Sequence, residues 1–296
     1  MKSEKLNKDF KAAVEFVNNY TEPLPADLLL KLYAYYKIAN KNPNANIIVA
    51  PSDHLILKEN EFIRVMNLAL DYTSKHNDLV TLGITPTRPD TGYGYIQFSE
   101  NSPSEIKPVK MFAEKPTLEK ANEFIASGDF CWNSGMFIWN LNTIQTAFEK
   151  LLPSIDQLFK KGIGKYNTPS EHEFIQEIYP ICESISIDYG IMESSSNVHV
   201  ISADIGWSDL GTWGSIYTHL PLDENKNAIV GENVMLYNAN NNIVNVPKEK
   251  LVVLQGLDNY IVVESDTILL VCQKSEEQKI KQFVADVKAT KDNRFY

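Results

Sequence analysis

The sequence has little cysteine, no glycine before Gly83 and no long apolar run. Its three cysteines, Cys131, Cys182 and Cys272, are widely spaced and form no CxxC pair, so they favour neither a disulfide framework nor a zinc site. The apolar runs fall far short of the roughly 20 residues that span a bilayer, and the charged start has no signal-peptide core. We therefore expect a cytoplasmic protein without a membrane anchor.

Positive charge is also scarce. Lysine and arginine together number 28 against 38 aspartates and glutamates, which gives a net charge of −10 and an isoelectric point near 5.1. This balance argues against non-specific binding to nucleic acid. A phosphorylated ligand would have to be held by local lysines, backbone amides and a metal. The length of 296 residues and the hydrophobic content of 44% suffice for one large domain and a smaller one.

The hydrophobic pattern divides the chain into three regions. Apolar residues at helical spacing predict a helical hairpin over residues 1–40. From 41 to 222, strand-like and helical runs alternate, which predicts an α/β domain with a mainly parallel sheet and helices on both faces. Short strands and Asn/Gly/Asp turns from 223 to 296 predict a small β domain closed by an amphipathic helix. Among the elements predicted in the second region are strands over Leu79–Ile84 and Met136–Trp139 and helices over Glu61–Lys75, Leu118–Ser127 and Asn142–Leu151.

Two aspartates lie beside apolar runs. Asp53 follows the run Ile47–Ala50, and Asp209 lies between glycines in the segment Gly206–Gly211. If both lie at the carboxyl edge of the sheet, one divalent cation could bridge them to substrate phosphates, and hard oxygen ligands suit magnesium. Considered singly, Asp53 is as well explained as a helix cap and Asp209 as a turn residue.

Four other segments carry polar groups suited to a sugar phosphate. Glu114-Lys115-Pro116 ends a strand with an acceptor for hydroxyls and a cation for a phosphate. Asn133 adds an amide, and the glycines of Thr91-Gly92-Tyr93-Gly94-Tyr95 would let main-chain N–H groups reach a ligand, unless this is a plain loop. Asp188 and Glu193 are five residues apart and share no helix face. We interpret Asp188 as a helix cap and Glu193 as facing the sugar.

In this order, the segments APSDH, TGYGYI, FAEKP, WNSGMF, SIDYGIME and WSDLGTW resemble those of the mannose-1-phosphate guanylyltransferase family, from about Asn42 to the C-terminus. The resemblance implies a nucleotide-diphospho-sugar transferase (Rossmann-like) α/β fold with a C-terminal domain like a short left-handed β-helix. It implies the reaction of GTP with mannose 1-phosphate to give GDP-mannose and diphosphate. By position it implies that Asp53 and Asp209 are Mg²⁺ ligands and that Lys115 is a catalytic contact to the sugar phosphate. It also implies a backbone donor near the sugar at Gly94 and mannose contacts at Glu114, Asn133 and Glu193.

The N-terminal region departs from that family. Its members begin with a Gly-Gly-x-Gly-x-Arg-type loop that cradles the triphosphate, and no segment here matches it. Residues 6–39 instead resemble the first two helices of acyl-CoA-binding proteins, in which positions matching Tyr33, Tyr36 and Lys37 touch coenzyme A. Only half of that four-helix bundle is present.

Three functional hypotheses follow. The first is a guanylyltransferase that uses GTP, mannose 1-phosphate and Mg²⁺ and is impaired by the missing loop. The second is a catalytically silent sugar-phosphate-binding protein, and the third is an acyl-CoA-binding module in residues 1–40. No nucleic-acid or membrane partner is expected, and a homodimer is a further hypothesis.

Overall fold

The computed structural model describes residues 35–100, 102–265 and 267–291. These residues form two compact units. The first comprises the described residues up to Ala50 together with Asn60–Asp204, and the second comprises Pro51–Glu59 and the described residues from Ile205. The predicted boundary after residue 222 therefore falls inside the second unit, because the segments on either side of it pack together.

The first unit is built on a six-stranded sheet with the strand order β1-β6-β3-β7-β5-β4, in which β4 also pairs with β6. Only β3 and β7 pair in parallel, and the other pairings are antiparallel. The prediction of a mainly parallel sheet was therefore wrong, because β6 runs against β1, β3 and β4, and β5 runs against β4 and β7. The strands are β1 (Asn46–Val49), β3 (Leu79–Ile84), β4 (Gly94–Phe98), β5 (Ile106–Glu114), β6 (Phe130–Asn140) and β7 (Val198–Ser202).

Two helices of the first unit begin at side-chain caps, the helix Leu118–Ser127 and the helix Leu141–Leu151. Thr117 caps α2 by accepting a hydrogen bond from the Lys120 N–H, and Gly128, with φ of 80°, ends it. Asn140 caps α3 through the Thr143 N–H and also donates to the Thr73 carbonyl at the end of α1. The helices are α1 (Glu59–Thr73), α2 (Leu118–Ser127), α3 (Leu141–Leu151), α4 (Pro153–Lys160) and α5 (Glu171–Ile178), followed by 3₁₀ and π-helical turns at Tyr179–Ile181 and Asp188–Met192.

The described end of the N-terminal region packs into the core of the first unit. Residues 35–39 are helical, and the Tyr36 ring is buried and stacked on Tyr166, while its hydroxyl donates to the Asp156 carboxylate over 2.8 Å. Lys37 forms an ion pair of 2.7 Å with Glu171. Two of the three side chains expected to touch coenzyme A therefore make contacts within the first unit, Tyr36 in its core and Lys37 with Glu171. Tyr33 and the rest of the predicted hairpin lie outside the described residues.

The second unit begins with a two-stranded antiparallel ribbon of β2 (Leu55–Ile56) and β8 (Trp207–Ser208), and α6 (Trp213–Tyr217) follows. Parallel pairing then stacks β9 on β11 on β13, and β10 on β12. Paired residues are 15 positions apart between β9 and β11 (243 − 228) and 18 positions apart between β11 and β13 (261 − 243), so the chain returns to the same sheet at short, similar intervals. The remaining elements are β9 (Ala228–Val230), β10 (Asn233–Tyr237), β11 (Ile243–Asn245), β12 (Leu251–Gln255), β13 (Tyr260–Ser265), β14 (Ile268–Gln273), a 3₁₀ turn (Lys274–Lys279) and α7 (Ile280–Thr290).

This architecture agrees with the predicted small β domain that ends in a helix, whereas the left-handed winding stays a prediction. In the part of the chain that the structure describes, no helix combines the length and the apolar character that a membrane crossing requires.

Two buried asparagines join successive turns of the coil. Asn242 is completely buried, and its Nδ2 donates to the side-chain oxygen of Asn227 at 3.0 Å and to the carbonyl of Leu257 at 2.9 Å. Its Oδ1 accepts from the Tyr260 N–H at 2.8 Å. Asn227 in turn donates to the Ala239 carbonyl. The amides thus satisfy main-chain groups that the short strands leave unpaired, as buried polar groups require.

Asn242→Asp should lower the free energy of unfolding of the second unit by at least ~2 kcal/mol near neutral pH, because it places a carboxylate against two oxygens and removes a buried donor. Urea unfolding followed by circular dichroism measures the change. Asn238→Asp is the matched control, since Asn238 is exposed and has a positive φ of 48°, which aspartate tolerates. Equal unfolding midpoints for the two variants would contradict a structural role for the Asn242 amide.

Candidate functional site

The first unit gathers polar side chains where β4, β5 and β6 lie side by side. Gly94 at the start of β4 pairs with Glu114 at the end of β5. A Cβ atom at position 94 would lie 2.3 Å from Glu114 Oε2 and 3.4 Å from the Asn133 Cβ, so a larger residue would displace the Glu114 carboxylate from its present position. We call the set of Gly94, Glu114, Lys115, Asn133, Asp188 and Glu193 the Glu114 cluster.

Lys115 is held in a strained turn directly after β5. Its φ of 48° lies in the left-handed region, which side-chain-bearing residues seldom adopt. Its Nζ lies 2.6 Å from Glu114 Oε1, and this hydrogen bond is the main cause that raises the pKa of the ammonium group. The lysine side chain is 53% exposed and the glutamate side chain only 15%. The cation therefore stays charged and accessible above a largely buried carboxylate.

Asn133 is oriented by three hydrogen bonds. Its Oδ1 accepts from the Gly135 N–H at 3.1 Å and from the Thr81 hydroxyl at 3.4 Å, and its Nδ2 donates to Asp188 Oδ1 at 2.7 Å. The pairing of β6 with β3 is irregular at this point, which is typical of strands that turn a side chain toward a site. The interpretation of Asp188 as a helix cap was wrong, because Ile187 occupies the cap position and the Asp188 carboxylate accepts from Asn133.

Glu193 adds a third carboxylate to the cluster. The pKa of its carboxyl is raised, first by partial burial and then by the negative charges of Glu114 and Asp188. The π-helical turn begins at Asp188 and ends at Met192, directly before Glu193, so it sets the positions of both acidic residues. Turns of this kind are frequent at functional sites. The cluster thus contains one lysine and three carboxylates, and the carboxylates can accept hydrogen bonds from several hydroxyl groups.

A clamp fixes the loop before β4, and the sequence analysis missed it. Asp90 accepts from the Arg88 guanidinium at 2.7 Å and 3.0 Å and from the Gly92 N–H at 2.8 Å. The guanidinium also lies 5.7 Å from the ring centre of Tyr93 and 5.3 Å from that of Trp132, the residue before Asn133. The acid two residues before a glycine was the available signal, since such pairs form Asx turns. These contacts hold the loop in one conformation, so it is more than a plain connecting loop.

The two predicted magnesium ligands lie at one end of the β2–β8 ribbon in the second unit. Leu55 pairs with Ser208, so Asp53 precedes the paired residues and Asp209 follows them. Burial lowers the pKa of the His54 imidazole, and the negative charges of Asp53 and Asp209 oppose this shift. The ribbon places both aspartates at its same end. The predicted position of both at the carboxyl edge of the large sheet was wrong for Asp209, which follows β8 of the ribbon.

The local backbone at Asp209 is shaped around its carboxylate. Leu210 has a φ of 49°, and a Cβ atom at Gly211 would lie 2.8 Å from Asp209 Oδ2. Within the described ranges, no group of three His, Cys, Asp or Glu residues could hold a metal ion. Two carboxylates nevertheless fit Mg²⁺, which takes one or two from a protein and fills its other positions with water and phosphate oxygens.

Glu193→Gln should stabilise the protein at pH 7 and have little effect below about pH 4, where glutamate is protonated in both states. The sign follows from the raised pKa of Glu193 in the folded protein. Above the pKa of the unfolded state, the ionised glutamate destabilises the folded protein, and the uncharged glutamine side chain does not. Urea unfolding at several pH values measures the difference, with the exposed Glu183→Gln as control. A gain that persists unchanged at pH 3 would rule out repulsion within the cluster as its cause.

The comparisons with known proteins agree with this geometry. The chain is 31% identical over 272 residues to a mannose-1-phosphate guanylyltransferase of Salmonella muenchen, covering 91% of this chain and 56% of the relative. It is 33% identical over 244 residues to the xanthan biosynthesis protein XanB of Xanthomonas campestris, covering 82% and 51%. The chain thus spans about half the length of the curated relatives it matches.

A solved structure and a family model point the same way. The crystal structure described as mannose-1-phosphate geranyltransferase from Thermus thermophilus matches with a TM-score of 0.74 and 25% identity, over 88% of this chain and 74% of that one. The family model described as nucleotidyl transferase matches residues 2–226, which is most of the chain. The nucleotidyltransferase-like α/β fold expected from the sequence motifs is confirmed, and the chain belongs to the nucleotidyl transferase family.

Proposed function

We propose that the chain binds mannose 1-phosphate in the Glu114 cluster and acts in the transfer of a guanylyl group from GTP. The observation that carries the proposal is the Glu114–Lys115 pair beside Asn133 and Asp188. Carboxylates and an oriented amide bind sugar hydroxyls, and an exposed lysine binds a phosphate. A free phosphate would meet three negative charges here, so the cluster favours a ligand that carries hydroxyls as well.

The choice of mannose and guanine is supported by the relatives. Several proteins similar to this chain over most of its length are mannose-1-phosphate guanylyltransferases. In the proposed reaction an oxygen of the sugar phosphate forms a bond to the α-phosphorus of GTP. The bond from that phosphorus to the bridging oxygen breaks, and its electron pair leaves with diphosphate.

Some of these residues would position the sugar phosphate, and the others would bind the metal ion that neutralises its charge. Lys115 would hold the sugar phosphate, and Glu114, Asn133 and Glu193 would fix the sugar. Asp53 and Asp209 would hold Mg²⁺, which neutralises charge on phosphate oxygens when bound. Phosphoryl transfer depends mainly on such positioning and charge stabilisation.

A catalytically silent sugar-phosphate-binding protein is the second candidate. It is favoured by the lack of glycine before Gly83, since the sequence as given contains no glycine-rich loop to cradle a triphosphate. Both candidates share the sugar-phosphate site and differ in turnover. The cytoplasmic location and the homodimer stay predictions.

Lys115→Ala should weaken mannose 1-phosphate binding about tenfold or more in calorimetry, because it removes a charge-assisted hydrogen bond to the phosphate. The loss should be greater at low salt. Lys120→Ala is the control, since Lys120 is exposed on α2 and pairs with Glu123. Mannose without phosphate should bind parent and variant alike. Equal mannose 1-phosphate affinity in parent and Lys115→Ala would exclude this lysine as the phosphate contact.

The purified chain with GTP, mannose 1-phosphate and Mg²⁺ should release diphosphate far more slowly than the ~10 s⁻¹ typical of enzymes. The sequence as given contains no glycine-rich loop to donate hydrogen bonds to the transition state, and the loss of each such donor costs on the order of 10²–10³ in rate. Any release that remains should fall further in Asp53→Asn and Asp209→Asn. It should not change in Asp71→Asn, an exposed aspartate of α1. Release near ~10 s⁻¹ would overturn the expectation of impaired catalysis.

A further inference from the structure

A side-chain hydrogen bond crosses the β2–β8 ribbon beside the two aspartates. Trp207 Nε1–H donates to His54 Nδ1 over 3.0 Å, and the two rings meet edge to face with centroids 5.3 Å apart. An indole nitrogen can only donate, so His54 Nδ1 must be the acceptor. The imidazole in this contact is therefore neutral, with its proton on Nε2. It places no positive charge beside the aspartates.

The position of this bond matters because the ribbon is short. Two residue pairs form its ladder, and main-chain hydrogen bonds from Leu57 to Gly206 and from Lys58 to Ile205 extend it away from the aspartates. Toward the aspartates, the ladder ends at the pair of Leu55 and Ser208. The Trp207–His54 bond holds this end of the ribbon, with His54 next to Asp53 in the chain and Trp207 two residues before Asp209.

Two carboxylates that converge without a cation repel each other, and a ribbon end held only by its ladder could splay. A cation site keeps its affinity when its ligands are already in place before the ion arrives. The side-chain bond supplies this preorganisation without adding a charge.

We propose that His54 and Trp207 are positioning residues for the cation, and that their hydrogen bond holds Asp53 and Asp209 close enough for one divalent ion to contact both. The inference rests on the proposed function, because it takes Asp53 and Asp209 as the cation ligands. Neither His54 nor Trp207 is required to touch the ion.

The test is titration of the purified full chain with Mn²⁺ alone, with the free ion measured by electron paramagnetic resonance. Trp207→Phe keeps a ring but loses the N–H, and His54→Leu loses the acceptor. Each should weaken Mn²⁺ binding about three- to tenfold, the worth of one hydrogen bond. The double variant should be no weaker than either single one, because both remove the same interaction.

Two further variants separate positioning from general damage. His54→Asn keeps an acceptor near the place of Nδ1 and should restore near-parental affinity. Trp213→Phe changes another tryptophan of the same unit and should leave Mn²⁺ binding unchanged. Thermal unfolding of each variant shows whether the fold is kept, and the conservative Trp207→Phe and His54→Asn pair carries the test if His54→Leu does not fold.

Asp53→Asn and Asp209→Asn decide whether the cation site itself exists. If both lose Mn²⁺ binding while Trp207→Phe and His54→Leu bind like the parent, the positioning role is wrong and the site stands. If neither aspartate variant changes the affinity, the proposed cation site fails and the positioning role fails with it. If Mn²⁺ binding weakens in the two aspartate variants and also in Trp207→Phe and His54→Leu, and recovers in His54→Asn, the inference is supported.

Discussion

The pairing of β6 with three other strands is the constraint on which the first unit depends. This strand pairs with β1, β3 and β4, all in antiparallel fashion. Its second half places Phe137 and Trp139 in the core, and burying such side chains contributes about 1.5–3 kcal/mol each. Its first half carries Asn133 to the hydrogen bond with Asp188. One strand therefore joins the stability of the core to the geometry of the candidate site.

Backbone strain accompanies the candidate ligands in both units. Lys115 and Leu210 have φ values of 48° and 49°, and each directly follows a carboxylate with a proposed role, Glu114 or Asp209. A residue with a side chain in this conformation costs of order 1 kcal/mol or more, so the surrounding structure must hold it. In both places the turn ends a strand abruptly. The preceding carboxylate is thereby left at the strand end, where a ligand can reach it.

The electrostatics of the Glu114 cluster set what it can bind. Three carboxylates and one lysine leave an excess of negative charge. Partial burial, and then the negative charges of Glu114 and Asp188, raise the pKa of Glu193. Hydroxyl donors relieve this repulsion by hydrogen bonding, whereas an anion without donors would increase it. The exposed ammonium of Lys115 carries the positive charge of the cluster and attracts an anion. A hydroxyl-rich molecule with a phosphate at one end matches both properties, and the chain's overall charge of −10 does not oppose such local recognition.

The sequence by itself determined the local elements and indicated which polar side chains lie at the candidate site. Helix α2 and strand β3 have the predicted bounds, because hydrophobic periodicity and caps such as Thr117 act within a few residues. The motifs also identified Glu114, Lys115 and Asn133, and the family they implied. Only the tertiary structure decided the direction of β6, the use of Tyr36 in the core and the bond between Asn133 and Asp188. These depend on which distant segments meet, and neither side-chain periodicity nor local propensity encodes the partner of a strand.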